Sequence, residues 1–249
     1  IDKWFLTGLQ NIIDVENSLI NNPDNIAIKN AEKMCFLDEE IEKLLNMSDE
    51  NMKELRDAEK IYPVYKMVDT CAGEFEAVSP YYYSTYDYYD EVKISNKEKI
   101  IVIGSGPIRI GQGIEFDYCT VHSILALKEN GIETIIIHNN PETVSTDSTI
   151  ADKLYFEPLT LEDVMEVIKK ENPLGVILQF GGQTSIKLAK DVAKNNIKII
   201  GTSAESINAA EDREIFDELM DRLEVRKPKG KAIWTIQEAC EIAQNVGYP

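Results

Sequence analysis

Positive charge is scarce in this sequence. Of its 249 residues, 26 are Lys or Arg and 44 are Asp or Glu, giving a net charge of −18. Both the first 96 residues and the remainder carry the acidic excess. A phosphate backbone is repelled by either part, which excludes nucleic acid as a partner. No apolar run approaches the ~18–20 residues of a membrane-spanning helix, so no membrane partner is expected. No signal peptide is visible. Histidine is limited to His122 and His138, and neither has an acid or a nucleophile at a diagnostic spacing. The four cysteines, Cys35, Cys71, Cys119 and Cys240, form no C-x-x-C or H-x-x-x-H pattern. Reduced thiols of a cytoplasmic protein are therefore expected, rather than zinc or disulfides. The Gly-Lys-Ser/Thr of a Walker loop and the G-x-S-x-G of a nucleophile elbow are also missing. The sequence opens at Ile1 and closes on Tyr248-Pro249, which reads as a piece of a longer chain.

What is present changes character along the chain. In the first 60 residues apolar side chains recur at helical spacing. Trp4, Phe5, Leu9, Ile12 and Ile13 form one stripe with Glu16 at its shoulder. Further helices are predicted over Asn25–Met34 and Asp38–Asn46. Ser48 is placed as the N-cap of a fourth, with Asp49 and Glu50 in its first turn. Helices this short need a packing partner. Residues 64–92 read as irregular or short-stranded and hold six tyrosines between Tyr81 and Tyr89. Each aromatic ring buries on the order of 150–250 Å² when covered, so this segment is placed on a seam between domains.

After the linker "SNKEK" (95–99), β-branched runs alternate with helical patterns. Strands are predicted at Ile100–Ile103, Thr134–His138, Leu154–Phe156, Val176–Gln179 and Ile197–Ile200. Helices are predicted at Glu115–Asn130, Leu161–Glu171 and Thr184–Lys194. This is the pattern of an α/β fold, a Rossmann-like parallel sheet covered on both faces, preceded by an all-α helical domain. Ligands of such sheets sit beyond the carboxyl ends of the strands. Those ends carry "GSGPIRIGQG", "HNNPETVSTD" and "QFGGQT", so the candidate rim residues are Gly104, Gly106, Arg109, Gly113, Asn140, Gly181 and Gly182. An acidic helix over Asp212–Leu223 and a further helix ending at Gly247 close the sequence.

The first rim loop departs from a dinucleotide fingerprint, because Arg109 occupies the place of the third glycine in G-x-G-x-x-G. Glu115 and Asp117 stand at the start of the following helix. Two like charges 4 Å apart repel by about 4 kcal/mol at an effective dielectric of 20, so a triphosphate is a poor occupant there. As helix-start stabilisers the two carboxylates contribute about 0.3–1 kcal/mol each. Charge favours that role for Asp117 and leaves Glu115 open between it and a functional one. Glu142 is either a rim carboxylate or part of a crossover loop. Gly181 and Gly182 either admit a ligand close to the backbone or form a tight turn. Both histidines read as structural.

Several stretches, in consecutive order, resemble the large subunit of carbamoyl phosphate synthetase. They are "VYKMVDTCAGEFEAVSPYYYSTYD" (64–87), the long run from "IVIGSGPIRIGQGIEFDYC" to "NNPETVSTD" (101–147), "DKLYFEPLTLEDVMEVI" (152–168), "GVILQFGGQTSIKLA" (175–189), "IIGTSAESINAAEDREIF" (199–216) and the final "GYP". "RIGQGIEFDYC" together with "NNPETVSTD" is the specific part. Lys3 replaces the proline of the family's "IDPWFL", a departure confined to the helix start.

The resemblance implies two similar halves, each with an ATP-grasp unit. One phosphorylates bicarbonate, which reacts with ammonia to give carbamate, and the other phosphorylates carbamate. It places residues 1–93 on a helical oligomerisation domain and 97–206 on the pre-ATP-grasp domain of the second half. Residues 207–249 fall at the start of the second ATP-grasp domain, whose nucleotide signature begins at Tyr248-Pro249. ATP and Mg²⁺ are implied for the parent enzyme, with ligands mostly outside this sequence. Glu115 and Glu142 fall on positions associated with an internal passage for carbamate. Implied partners are a glutaminase subunit or domain, the rest of the large subunit, and a second copy through the helical domain. The chain alone is expected to be inactive. Two other readings are carried: a nicotinamide-binding Rossmann-like module, opposed by Arg109, and a pure scaffold or oligomerisation module.

Overall fold

The computed structural model describes residues 2–105, 114–228, 230 and 232–247. Four helices come first: α1 (Lys3–Asn21), α2 (Asn25–Lys33), α3 (Asp38–Leu45) and α4 (Asp49–Glu59). Each start has a local cause. Asp2 accepts from Trp4 N at 2.8 Å, Asp24 from Ala27 N at 2.7 Å and Ser48 from Asn51 N at 3.3 Å, while Glu40 reaches back to Leu37 N at 3.0 Å. Leu19, Ile28, Ala31, Ile41, Met52 and Ile61 form their common core. The expected stripe on α1 does not join it. Trp4 is 74% exposed, and Phe5, Leu9, Ile12 and Ile13 are exposed with it. Only the last turns of α1, at Val15 and Leu19, reach the core.

Six strands follow: β1 (Val64–Met67), β2 (Tyr81–Thr85), β3 (Lys99–Ile103), β4 (Glu133–His138), β5 (Lys153–Phe156) and β6 (Gly175–Ile177). They form one sheet in the order β1-β2-β5-β4-β3-β6. β1 and β2 are antiparallel, and every other pair is parallel. Helices α5 (Ile114–Glu129) and α6 (Leu161–Glu171) lie in the crossovers, and α7 (Gly182–Ile186) and α8 (Ala189–Lys194) follow β6. Beyond them come α9 (Ala204–Glu211), α10 (Arg213–Arg222) and α11 (Ile236–Val246). Alternation along the strands gives two apolar faces. Ile101, Ile103, Ile135 and Ile137 pack with Val164, Val167 and Ile168 of α6 and Val192 of α8. Ile100, Val102 and Ile136 pack with Ile124 of α5. Among the described residues no helix is long and apolar enough to cross a membrane.

Two sequence expectations are corrected here. The strand expected at Ile197–Ile200 is a single bridge, Val176 to Ile199. The helix expected over Thr184–Lys194 is broken into α7 and α8. The Ser185 hydroxyl donates to Leu178 O at 2.6 Å, which pins the first turn to the end of β6. Helix resumes at Ala189 once Leu188 has entered the core.

The tyrosine-rich segment spans two cores. β2 pairs with β5, placing Tyr82 5.6 Å from the Tyr155 ring and Tyr81 5.4 Å from the Phe156 ring. Tyr86 then packs on the helical core, and its hydroxyl donates to Glu32 of α2 at 2.6 Å. Tyr88 is 94% exposed and takes no part in that seam.

The amino ends of the strands are closed by buried charge. Glu171, at the end of α6, accepts from Lys99 Nζ at 3.0 Å, from Lys153 Nζ at 2.8 Å and from the Tyr155 hydroxyl. Burial pushes the Glu171 carboxyl up, but these three donors outweigh it and hold the group below its ordinary range. Replacing Glu171 by Ala leaves buried Lys153 without its carboxylate and buried Lys99 with only the longer contact to Glu133, at 3.7 Å. A loss of about 3–5 kcal/mol is expected in a denaturant titration at neutral pH.

Candidate functional site at the carboxyl ends of the strands

Because β3, β4, β5 and β6 are parallel, the loops after them share one edge. Gly104 continues β3, donating its N–H to Ile137 O at 2.9 Å. It passes directly under His138, the last residue of β4. A Cβ on Gly104 would lie 2.5 Å from His138 Cδ2, so only glycine fits. His138 is buried, and its Nδ1 accepts from Asn140 N at 2.9 Å, which fixes the proton on Nε2. Burial pushes its pKa down to about 4, against the pull of the Asp117 charge. The ring is therefore neutral at physiological pH and orders the loop rather than exchanging protons. His122 lies against Tyr118, with ring centroids 4.2 Å apart on the outer side of α5.

The loop after β4 is built on its own side chains. Asn140 Oδ1 accepts from Glu142 N at 3.0 Å, and Thr146 Oγ1 accepts from Thr143 N at 3.1 Å. Ser145 N then donates to both oxygens of Asp117, each at 3.2 Å. Asp117 thus ties the loop to the first turn of α5, where sequence reasoning saw only stabilisation of a helix start. Glu115 on that turn and Glu142 on the loop are both exposed, on elements joined by this bond.

After β6 the backbone is compressed. A Cβ on Gly181 would lie 2.6 Å from Ile103 O, and Ser105 Oγ donates to Gly181 O at 2.5 Å. Gly182 has φ +59°, a conformation that favours glycine. Protein atoms fill the space beside Gly181, so the tight turn accounts for that position. Gly106, Arg109 and Gly113 lie outside the described residues.

Sequence reasoning missed Glu157, a buried carboxylate just past β5. It accepts from Ser84 N at 2.6 Å and from the Ser84 hydroxyl at 2.7 Å. Burial raises its pKa to about 7, with the Ser84 hydrogen bonds pulling the other way. No local pattern marks it, because its partner lies 73 residues away. Among the described residues these loops carry Glu115, Asp117, Glu142, Asp147 and Glu157 and no Lys or Arg. These described carboxylates repel a triphosphate, and among the described residues no group of three carboxylates gathers there to hold Mg²⁺.

The Gly104–His138 contact is testable by a double-mutant cycle. Gly104→Ala should cost about 1–3 kcal/mol by overpacking. Combined with His138→Ala, the two losses should fall short of additivity by at least about 0.5 kcal/mol. Chemical denaturation of the four proteins measures this.

Comparison with known proteins gives the family. Residues 96–209 match the carbamoyl phosphate synthase preATP-grasp domain, and residues 1–60 match the oligomerisation domain of the carbamoyl-phosphate synthetase large chain. The carbamoyl phosphate synthase large chain of Clostridium botulinum (strain Alaska E43 / Type E3) is 59% identical over the whole of this chain, and that of Clostridium beijerinckii is 56% identical. The chain spans 24% of the length of each. Among solved structures, the biotin carboxylase domain of Hydrogenobacter thermophilus 2-oxoglutarate carboxylase is similar over 62% of this chain and 34% of its own, with 22% identity and a TM-score of 0.46. With both domain matches in chain order and close identity from end to end, the chain belongs to the carbamoyl phosphate synthase large-chain family.

Proposed function

We propose that this chain is the central portion of a carbamoyl phosphate synthase large chain, an ATP-dependent ligase. In this reading it frames the carbamate-phosphorylating half and forms one wall of the passage between the two reaction sites. The observation that carries the reading is the Asp117–Ser145 bond. It sets Glu115 and Glu142 on one acidic edge from which positive charge is missing among the described residues. Such a wall does not hold triphosphate. It suits the guidance of a small labile intermediate away from bulk water. ATP and Mg²⁺ then bind through residues elsewhere in the whole protein, and this chain alone does not turn over ATP.

The domain reading goes with it: residues 1–93 for oligomerisation, 97–206 for the pre-ATP-grasp unit, and 207–249 for the start of the second ATP-grasp domain. In support, α10 and α11 bury no side chain and present exposed Ile215, Phe216 and Ile236, and Trp234 just before α11 is exposed with them. The uncovered apolar face of α1 supports self-association. Implied partners are a glutaminase subunit or domain and the rest of the large chain, in the cytoplasm.

The test uses the complete enzyme with its glutaminase. Glu115→Ala and Glu142→Ala should leave bicarbonate-dependent ATP hydrolysis in place. Carbamoyl phosphate formed per ATP consumed should fall by roughly tenfold, the scale of a lost positioning contact. Unchanged coupling would assign these loops to scaffold instead.

A further inference from the structure

Away from the sheet edge, the junction between the helical segment and α6 gathers one buried and two half-buried carboxyl groups around one buried guanidinium. Glu32 of α2 is 1% exposed and Arg56 of α4 is 4% exposed. Arg56 Nη1 donates to Asp38 Oδ2 at 2.5 Å and to Glu162 Oε1 at 3.0 Å, while its Nε donates to Ile61 O at 3.1 Å. The second Glu162 oxygen accepts from Asp38 N at 2.8 Å. Tyr86 donates to Glu32 Oε2. This leaves Glu32 Oε1 and Asp38 Oδ1 buried without a donor, and Arg56 Nη2 buried without an acceptor. One oxygen each from Glu32, Asp38 and Glu162 lies within 4.8 Å of the others.

Two ionised carboxylates facing each other at that range repel, and a single guanidinium cannot offset three negative charges in a buried site. One proton turns the unmatched pair into a donor and an acceptor. We propose that Glu32 and Asp38 share one proton, making this junction a proton-binding site that fastens α2 and α3 to α6 through Arg56. A metal ion fits less well. Both Glu162 oxygens are engaged, and the Arg56 guanidinium stands beside Asp38, where it repels a second cation.

The charged and titratable groups around Glu32 are Asp38 on α3, Arg56 on α4, Glu162 and Asp163 on α6, and Tyr86 after β2. Asp163 is occupied by the Thr160 hydroxyl at 2.6 Å. Burial, with help from the charge and hydrogen bond of Asp38, pushes the Glu32 pKa up to about 8 against the opposing pull of Tyr86 and Arg56. The folded chain therefore keeps this proton from 4.5, the ordinary glutamate value, up to about 8, where the unfolded chain has lost it. The contribution of Glu32 to stability is complete below pH 4.5 and is lost as pH rises to about 8. From this group alone the folding equilibrium constant falls by about tenfold per pH unit across that window. Asp38, Arg56 and Glu162 also line a groove of about 620 Å³ between α3, α4 and α6, which gives the proton a route to solvent.

The experiment compares thermal unfolding of the 249-residue chain with that of its Glu32→Gln variant from about pH 5 to about pH 9. Glutamine is neutral and still donates to Asp38. The two midpoints should lie close together at the acid end and separate as pH rises, with the variant the more stable at the alkaline end. Glu157 titrates in the same direction near pH 7 but is common to both proteins, so the difference isolates Glu32. If the variant does not fold, carbon-13 NMR of labelled glutamate side chains in the unaltered chain replaces it. One carboxyl should titrate near pH 8, distinct from the one removed by Glu157→Gln. A separation independent of pH, a variant that loses ground as pH rises, or no glutamate titrating near pH 8 would each overturn the proposal. A midpoint raised by Mg²⁺ or Ca²⁺ in the parent and not in the variant would replace the proton by a metal.

Discussion

Five of the six strands run the same way, which leaves the loops after them with a fixed destination, and the rest of the molecule is arranged around that constraint. β5, β4, β3 and β6 begin together at one edge of the sheet and end together at the other. The edge where they begin is a sealed structural base. There Lys99 and Lys153 converge on Glu171, and each buried charge has an opposite neighbour. The edge where they end is different in kind. Glycines at 104 and 181 let backbone and imidazole pack within contact distance there. Among the described residues its loops carry carboxylates and no Lys or Arg. The two edges thus differ in kind: buried ion pairs close one, and exposed carboxylates line the described part of the other.

The helical segment is joined to this sheet more deeply than a linker would allow. β1 and β2 extend the sheet beside β5, Tyr65 meets Tyr155 edge-on at 5.0 Å, and Tyr86 carries the chain back into the helical core. A hydrogen-bonded cluster of Glu32, Asp38, Arg56 and Glu162 closes the same junction from the other side. Aromatic burial supplies the attraction there, and the polar cluster links α3 and α4 to α6.

Much of this was legible in the sequence, for physical reasons that vary with the element. The bounds of α6 were readable to the residue. Thr160 caps it, Glu162 and Asp163 fill its first turn, and Lys169 and Lys170 its last, so local electrostatics and capping agree. The convergence of the rim loops followed from strand direction alone. What could not be read was anything that depends on a distant partner. Amphipathic spacing revealed the stripe of α1 but not that it faces outward. Nothing in "TSIKLAKDVAK" announces the bond from Ser185 to Leu178 that divides one helix into two. The roles of Asp117, His138 and Glu157 rest on contacts that appear only once the chain has folded. The family was legible because "RIGQGIEFDYC" and "NNPETVSTD" are specific words. Yet Arg109 and its glycines lie outside the described residues.

The central claim is that this acidic edge is a wall and not a nucleotide seat. Isothermal titration of the chain with Mg-ATP tests it most directly. The account predicts no saturable heat, because the loops offer carboxylates where a triphosphate needs cations. Stoichiometric binding abolished by substitutions in residues 104–105, 139–147 or 178–184 would contradict it.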